Sequence, residues 1–121
     1  MKVISLLYIV NATLLLLHEL ESAYEKEWEI LKLPGKISGF LIFHIPILIL
    51  LFYGLIEIEK GSTIGFISGI IFGISGVIPF MVHKVFVKTP DQFNLPMSNA
   101  IIYLNILSGI GLLFFSLDPF V

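Results

Sequence analysis

Four long apolar stretches separated by short polar breaks leave this chain few ways to fold. Each is about as long as the roughly 20 residues an α-helix needs to cross a bilayer. They cover about residues 3–22, 37–56, 63–87 and 98–117. The expected fold is therefore all-α: an integral membrane four-helix bundle forming one domain over residues 1–121. Composition points the same way, with 57% hydrophobic and only 13% charged residues, where a soluble domain carries roughly a quarter charged. Lys2 precedes the first apolar run, yet no small-x-small cleavage site follows, so we expect a retained helix rather than a signal peptide.

The breaks differ in kind. Residues 19–36 include Glu21, Glu25, Lys26, Glu27, Trp28, Glu29 and Lys32, with no helix breaker before Pro34-Gly35. Their Glu, Lys and Leu content favours helix. We expect an acidic helical segment that extends the first helix beyond the membrane, with Trp28 at the interface. Residues 57–62 form a tight turn, and Lys88 to Pro96 reads as a loop. Lys26, Lys32, Lys36, Lys84 and Lys88 fall on one side of the bundle, against Lys2 and Lys60 on the other. The positive-inside rule then predicts a multi-pass protein of the cell membrane with loops one and three cytoplasmic and both termini outside.

Several function classes are excluded. The formal charge is −2 and no arginine occurs, so the concentrated basic patch that nucleic acid requires is missing. There is no cysteine, which removes disulfides, iron–sulfur clusters, thiolate zinc sites and cysteine nucleophiles.

The three histidines carry the chemistry that remains. His18 closes the first span, His44 lies about two turns into the second, and His83 stands about one turn before the third emerges. The topology puts all three in one leaflet. On the first helix Asn11, Ser22, Glu25 and Glu29 each fall within about 40° of His18 at about 100° per residue. Glu21 follows one turn beyond His18, whereas Glu19 sits about 100° round and is expected at the interface. Gly65, Gly69, Gly73 and Gly76 form a small-residue ridge whose face continues to His83, the kind of ridge where membrane helices approach closely. The same ridge suits a homo-oligomer. The fourth helix presents Ser98, Asn105, Ser108 and Ser116 inward.

Three imidazoles and a carboxylate suit a zinc or iron ion with one open position. The expected ligands are His18, Glu21, His44 and His83, with Glu25 as catalytic base and Asn11, Ser22 and Asn105 supporting them. Each histidine taken alone reads more readily as an interfacial residue than as a ligand, and the glycine ridge is packing first.

The segment His18-Glu19-Leu20-Glu21, followed by Tyr24, Trp28 and Pro34-Gly35, resembles small bacterial and archaeal membrane proteins with a His-x-x-Glu signature, the HXXEE-type family. The likeness covers the first third of the chain, and His44-Ile45-Pro46 adds to it. Ser22 stands where that family has a second consecutive glutamate. The resemblance implies a four-span topology and no established activity.

The leading expectation is a metal-dependent membrane hydrolase or oxidase acting on a lipid-like substrate that enters from the bilayer. The alternatives are a metal-free His/Glu acid–base protein of the sterol-isomerase kind, and a non-catalytic transport or accessory subunit.

Overall fold

The computed structural model describes residues 1–86 and 95–117. Within them the chain is an all-α bundle: α1 (Val3–Tyr24), a single-turn α2 (Glu27–Ile30), α3 (Lys36–Lys60), α4 (Thr63–Phe80) running on into a π-helical turn (Met81–Phe86), and α5 (Pro96–Leu117). Four of these helices, α1, α3, α4 with its extension, and α5, are long and apolar enough to cross a membrane. The outer face of α3 is correspondingly bare, with Leu41, Ile45, Ile49 and Phe52 all more than half exposed. That pattern suits lipid rather than water.

One segment departs from expectation. The acidic stretch does not continue α1 to Pro34: α1 stops at Tyr24, and Lys26 adopts the left-handed region with φ 53°. Lys32, Gly35 and Lys36 also have positive φ, at 56°, 93° and 53°. These reversals fold the stretch back over the bundle end. The driving gain is burial, since Trp28 is only 7% exposed and packs its ring 5.6 Å from that of Phe40. Trp28 is thus a buried contact rather than an interfacial anchor.

The opposite end is tied more conventionally. Gly61 ends α3 with φ 70°, and the Ser62 hydroxyl caps α4 by accepting from the Gly65 N–H at 3.0 Å. Buried Glu57 accepts from the same hydroxyl at 2.8 Å and from Lys60 Nζ at 3.1 Å. The core sits toward this end, built on Ile4, Tyr8, Leu51, Ile58, Phe72 and Leu112. Tyr8 meets Phe72 edge-on at 5.8 Å and donates its hydroxyl to the Leu51 carbonyl at 2.5 Å.

The glycine ridge is consumed inside the chain. A Cβ at Gly65 would strike the Glu57 backbone, at Gly69 the Ser116 hydroxyl, and at Gly73 the Leu113 side chain. Gly76 is pressed against Asn11 and Asn105. A second copy of the chain would have to pack on another face. Asn11 completes this seam, donating Nδ2–H to the Phe72 carbonyl at 2.7 Å and accepting from the Ser108 hydroxyl at 2.9 Å.

Candidate metal centre and its cavity

The fold-back of residues 25–36 builds a site from three segments. His18 lies near the C-terminal end of α1 and is 3% exposed; His83 comes from the π-helical turn and is also 3% exposed. Pro79 lacks an N–H, so the α4 ladder is already broken where that wider turn begins. Glu27, the first residue of α2, brings Oε1 to 2.9 Å from His83 Nε2. The two imidazole centroids are 5.1 Å apart. One ligand-type atom each from His18, Glu27 and His83 lies within 4.8 Å of the others.

Ser22 ties the group together. Its hydroxyl is 3.4 Å from His18 Nε2 and also hydrogen-bonds the Glu27 carboxylate. Burial alone would push Glu27 up. The hydrogen bonds from His83 and Ser22, with the attraction of both imidazoles, outweigh it and hold the carboxyl below its ordinary value.

A second pair lies nearby. Glu19 Oε2 is 2.7 Å from His44 Nε2, and His44 Nδ1 is 2.7 Å from the Phe40 carbonyl. A carbonyl only accepts, so Nδ1 carries a hydrogen. The contact between Nε2 and the carboxylate needs a second one, which makes the pair jointly neutral with its proton in the shared bond.

Both groups border one cavity of about 720 Å³ among α1, α3 and α4, covered by residues 27–34. His18, Glu19, Glu27 and His44 line its polar end, and Leu48, Leu51 and Phe72 line the rest. Ile42 and Ser75 also line it. Their carbonyls are the ones that Pro46 and Pro79 leave without the usual helical donor.

The structure rearranges the expected ligand set. His18 and His83 meet, but His44 does not join them, because Glu19 and the Phe40 carbonyl hold both its ring nitrogens. Glu21 turns the other way and accepts from the Ser98 hydroxyl, linking α1 to α5. Glu25 is the half-buried C-cap of α1 and is not among the three clustered residues. Of the supporting residues, Ser22 touches the cluster, Asn11 is spent on the helix seam, and Asn105 is fully buried with its amide unpartnered among the described residues. The position of Lys88 lies outside the described residues.

Glu27 was missed for a geometric reason. On an unbroken helix it stands about 180° from His18, and only the left-handed Lys26 brings it round. Glu19, expected at the interface, instead faces His44 and the cavity.

A family model matches residues 4–118 of this chain. The chain belongs to DUF6713, a family of unknown function. No curated protein and no solved structure gives a significant match. In this DUF6713 member His18, Glu19, Glu27 and His44 gather at one end of one cavity.

Proposed function

We propose that this protein is a metal-dependent membrane enzyme that holds one zinc or iron ion between His18, His83 and Glu27 and acts on a lipid-like molecule admitted to the adjoining cavity. The observation that carries this reading is the convergence of three ligand-type groups from α1, α2 and the π-helical turn beside an apolar cavity. Two imidazoles and one carboxylate form a donor set used by catalytic zinc and by non-haem iron, both of which keep coordination positions open. Such an ion would supply Lewis acidity, and zinc in that place would lower the pKa of a bound water to about 7. Ser22 fixes the orientation of His18 and Glu27, as outer partners of metal ligands commonly do. The lysine bias of loops one and three supports a cytoplasmic location for this end of the bundle.

Elemental analysis of detergent-purified protein, prepared without a histidine tag or chelator, tests the reading. About one equivalent of zinc or iron is expected, lost in His18→Ala, His83→Ala and Glu27→Gln but kept in His44→Ala. Absence of metal even after reconstitution overturns it. A metal-free acid–base role is then the next reading, favoured by the direct contacts Glu27–His83 and Glu19–His44.

A further inference from the structure

The cavity mouth and its polar end together restrict what can enter. Ile42, Phe43 and Ile78 line the cavity yet are at least half exposed on the outer surface of the bundle. At membrane depth that surface meets lipid, so the opening is lateral. On α4 and the π-helical turn that continues it the lining runs from Phe72 to Val82, which at about 1.5 Å per residue is about 15 Å along the axis. The volume of about 720 Å³ falls within the roughly 300–1,000 Å³ of pockets that enclose small molecules. An apolar body fits the long part.

The head group is decided by Glu19. Its Oε2 is committed to His44, and among the described residues the carboxylate makes no other hydrogen bond. The side chain is 32% exposed, so Oε1 keeps acceptor capacity at the polar end. With the shared hydrogen held in the contact between Oε2 and His44 Nε2, Oε1 can only accept. A ligand must therefore bring a hydrogen-bond donor. An anionic head would lie beside the Glu27 carboxylate, across a low-dielectric space where like charges repel strongly. A cationic head would compete with the hydrogen that His44 already shares with Glu19.

We propose that the cavity binds a neutral lipid alcohol, apolar in body, whose hydroxyl donates to Glu19. This names the substrate class of the enzyme proposed above and rests on that reading for its chemistry, though binding itself requires no metal.

Trp28 is the only tryptophan and lines the cavity, so its fluorescence reports occupancy. Purified protein in detergent is titrated with hexadecanol brominated next to its hydroxyl, with the methyl ether of the same compound, and with palmitate brominated next to its carboxylate. Saturable quenching by the alcohol is expected. The ether, which has no donor, should bind about three- to tenfold more weakly, the worth of one hydrogen bond, and the palmitate more weakly still. In Glu19→Leu the gap between alcohol and ether should close, and because it compares two ligands on one protein, a modest loss of folded material does not imitate it. Equal quenching by all three, preference for palmitate, or an alcohol–ether gap that survives Glu19→Leu overturns the inference. Repeating the titration in His83→Ala separates the two readings: alcohol binding that persists there stands even where no metal is found, and its absence in metal-loaded wild type rejects the alcohol site alone.

Discussion

Glu27 Oε1 reaches His83 Nε2 at 2.9 Å because the chain reverses at Lys26. A helical path through Lys26 would carry Glu27 to the far side of α1, away from both His18 and His83. The left-handed conformation of one residue thus decides whether the bundle end holds two imidazoles with a carboxylate or two imidazoles alone. A non-glycine residue in that region costs about 1–2 kcal/mol, and the burial of Trp28 and the Glu27–His83 contact offset it.

Lys26 is accordingly a position where backbone and site can be separated. Lys26→Gly removes the strain and should leave the metal content unchanged with equal or higher thermal stability. Lys26→Val, β-branched and disfavoured at φ 53°, should lower stability by about 1–2 kcal/mol and weaken metal retention. Thermal unfolding in detergent and elemental analysis of the same samples check both. Unchanged metal content in Lys26→Val would mean that the reversal does not position Glu27.

The Glu19–His44 pair makes a different prediction. Each of the two ring-nitrogen contacts holds one hydrogen, so a side chain able to donate to His44 Nε2 can replace the carboxylate. Glu19→Gln should fold and unfold much as the parent does, its amide N–H meeting Nε2. His44→Phe leaves the partly buried Glu19 carboxylate without its partner, and about 1–3 kcal/mol of stability should go with it. Comparison of thermal midpoints in one detergent decides. Equal loss in both variants would show that the contact contributes nothing specific.

What could be read from the sequence divides along physical lines. The four helices follow from apolar length alone, a property that each segment carries locally, and the inward face of α4 follows from the spacing of Gly65, Gly69, Gly73 and Gly76. The meeting of His18 with His83 needed only helix phase and topology. Glu27 and Glu19 were not legible. Glu27 depends on a backbone reversal at Lys26 that no glycine or proline announces, because Glu25-Lys26-Glu27 reads locally as good helix. Glu19 depends on where α3 stands relative to α1, and helix phase alone does not supply that. Glu21 shows the converse failure: its spacing from His18 is right for a shared ligand, but Ser98 on α5 offers its hydroxyl on the other side.

Asn11 joins three helices through two hydrogen bonds, to the Phe72 carbonyl and from the Ser108 hydroxyl. Interhelical bonds of this kind in membranes are worth about 0.6 kcal/mol on average and reach about 1.7. Asn11→Ala should therefore lower stability by about 1–2 kcal/mol while the metal content stays as in the parent, since Asn11 does not touch His18, Glu27 or His83. A loss of metal in this variant would place Asn11 in the site after all.

The small residues of α4 and α5 separate close packing from mere helix content, with effects of opposite sign. A Cβ on Gly76 would overlap the Asn11 side chain and come within 2.9 Å of the Asn105 carbonyl oxygen. That oxygen is main-chain and cannot rotate away. Overpacking of this order costs about 1–3 kcal/mol, more than the roughly 1 kcal/mol that alanine gains over glycine in a helix. Gly111 sits in the same kind of helix, but its nearest neighbours would be the Leu7 methyls at 3.7 and 3.9 Å, an ordinary contact. Gly76→Ala should thus unfold at a lower temperature than the parent and Gly111→Ala at an equal or higher one. If both variants unfold at a higher temperature than the parent, helix propensity dominates at both positions and the α4–α5 approach at Gly76 is looser than its geometry indicates.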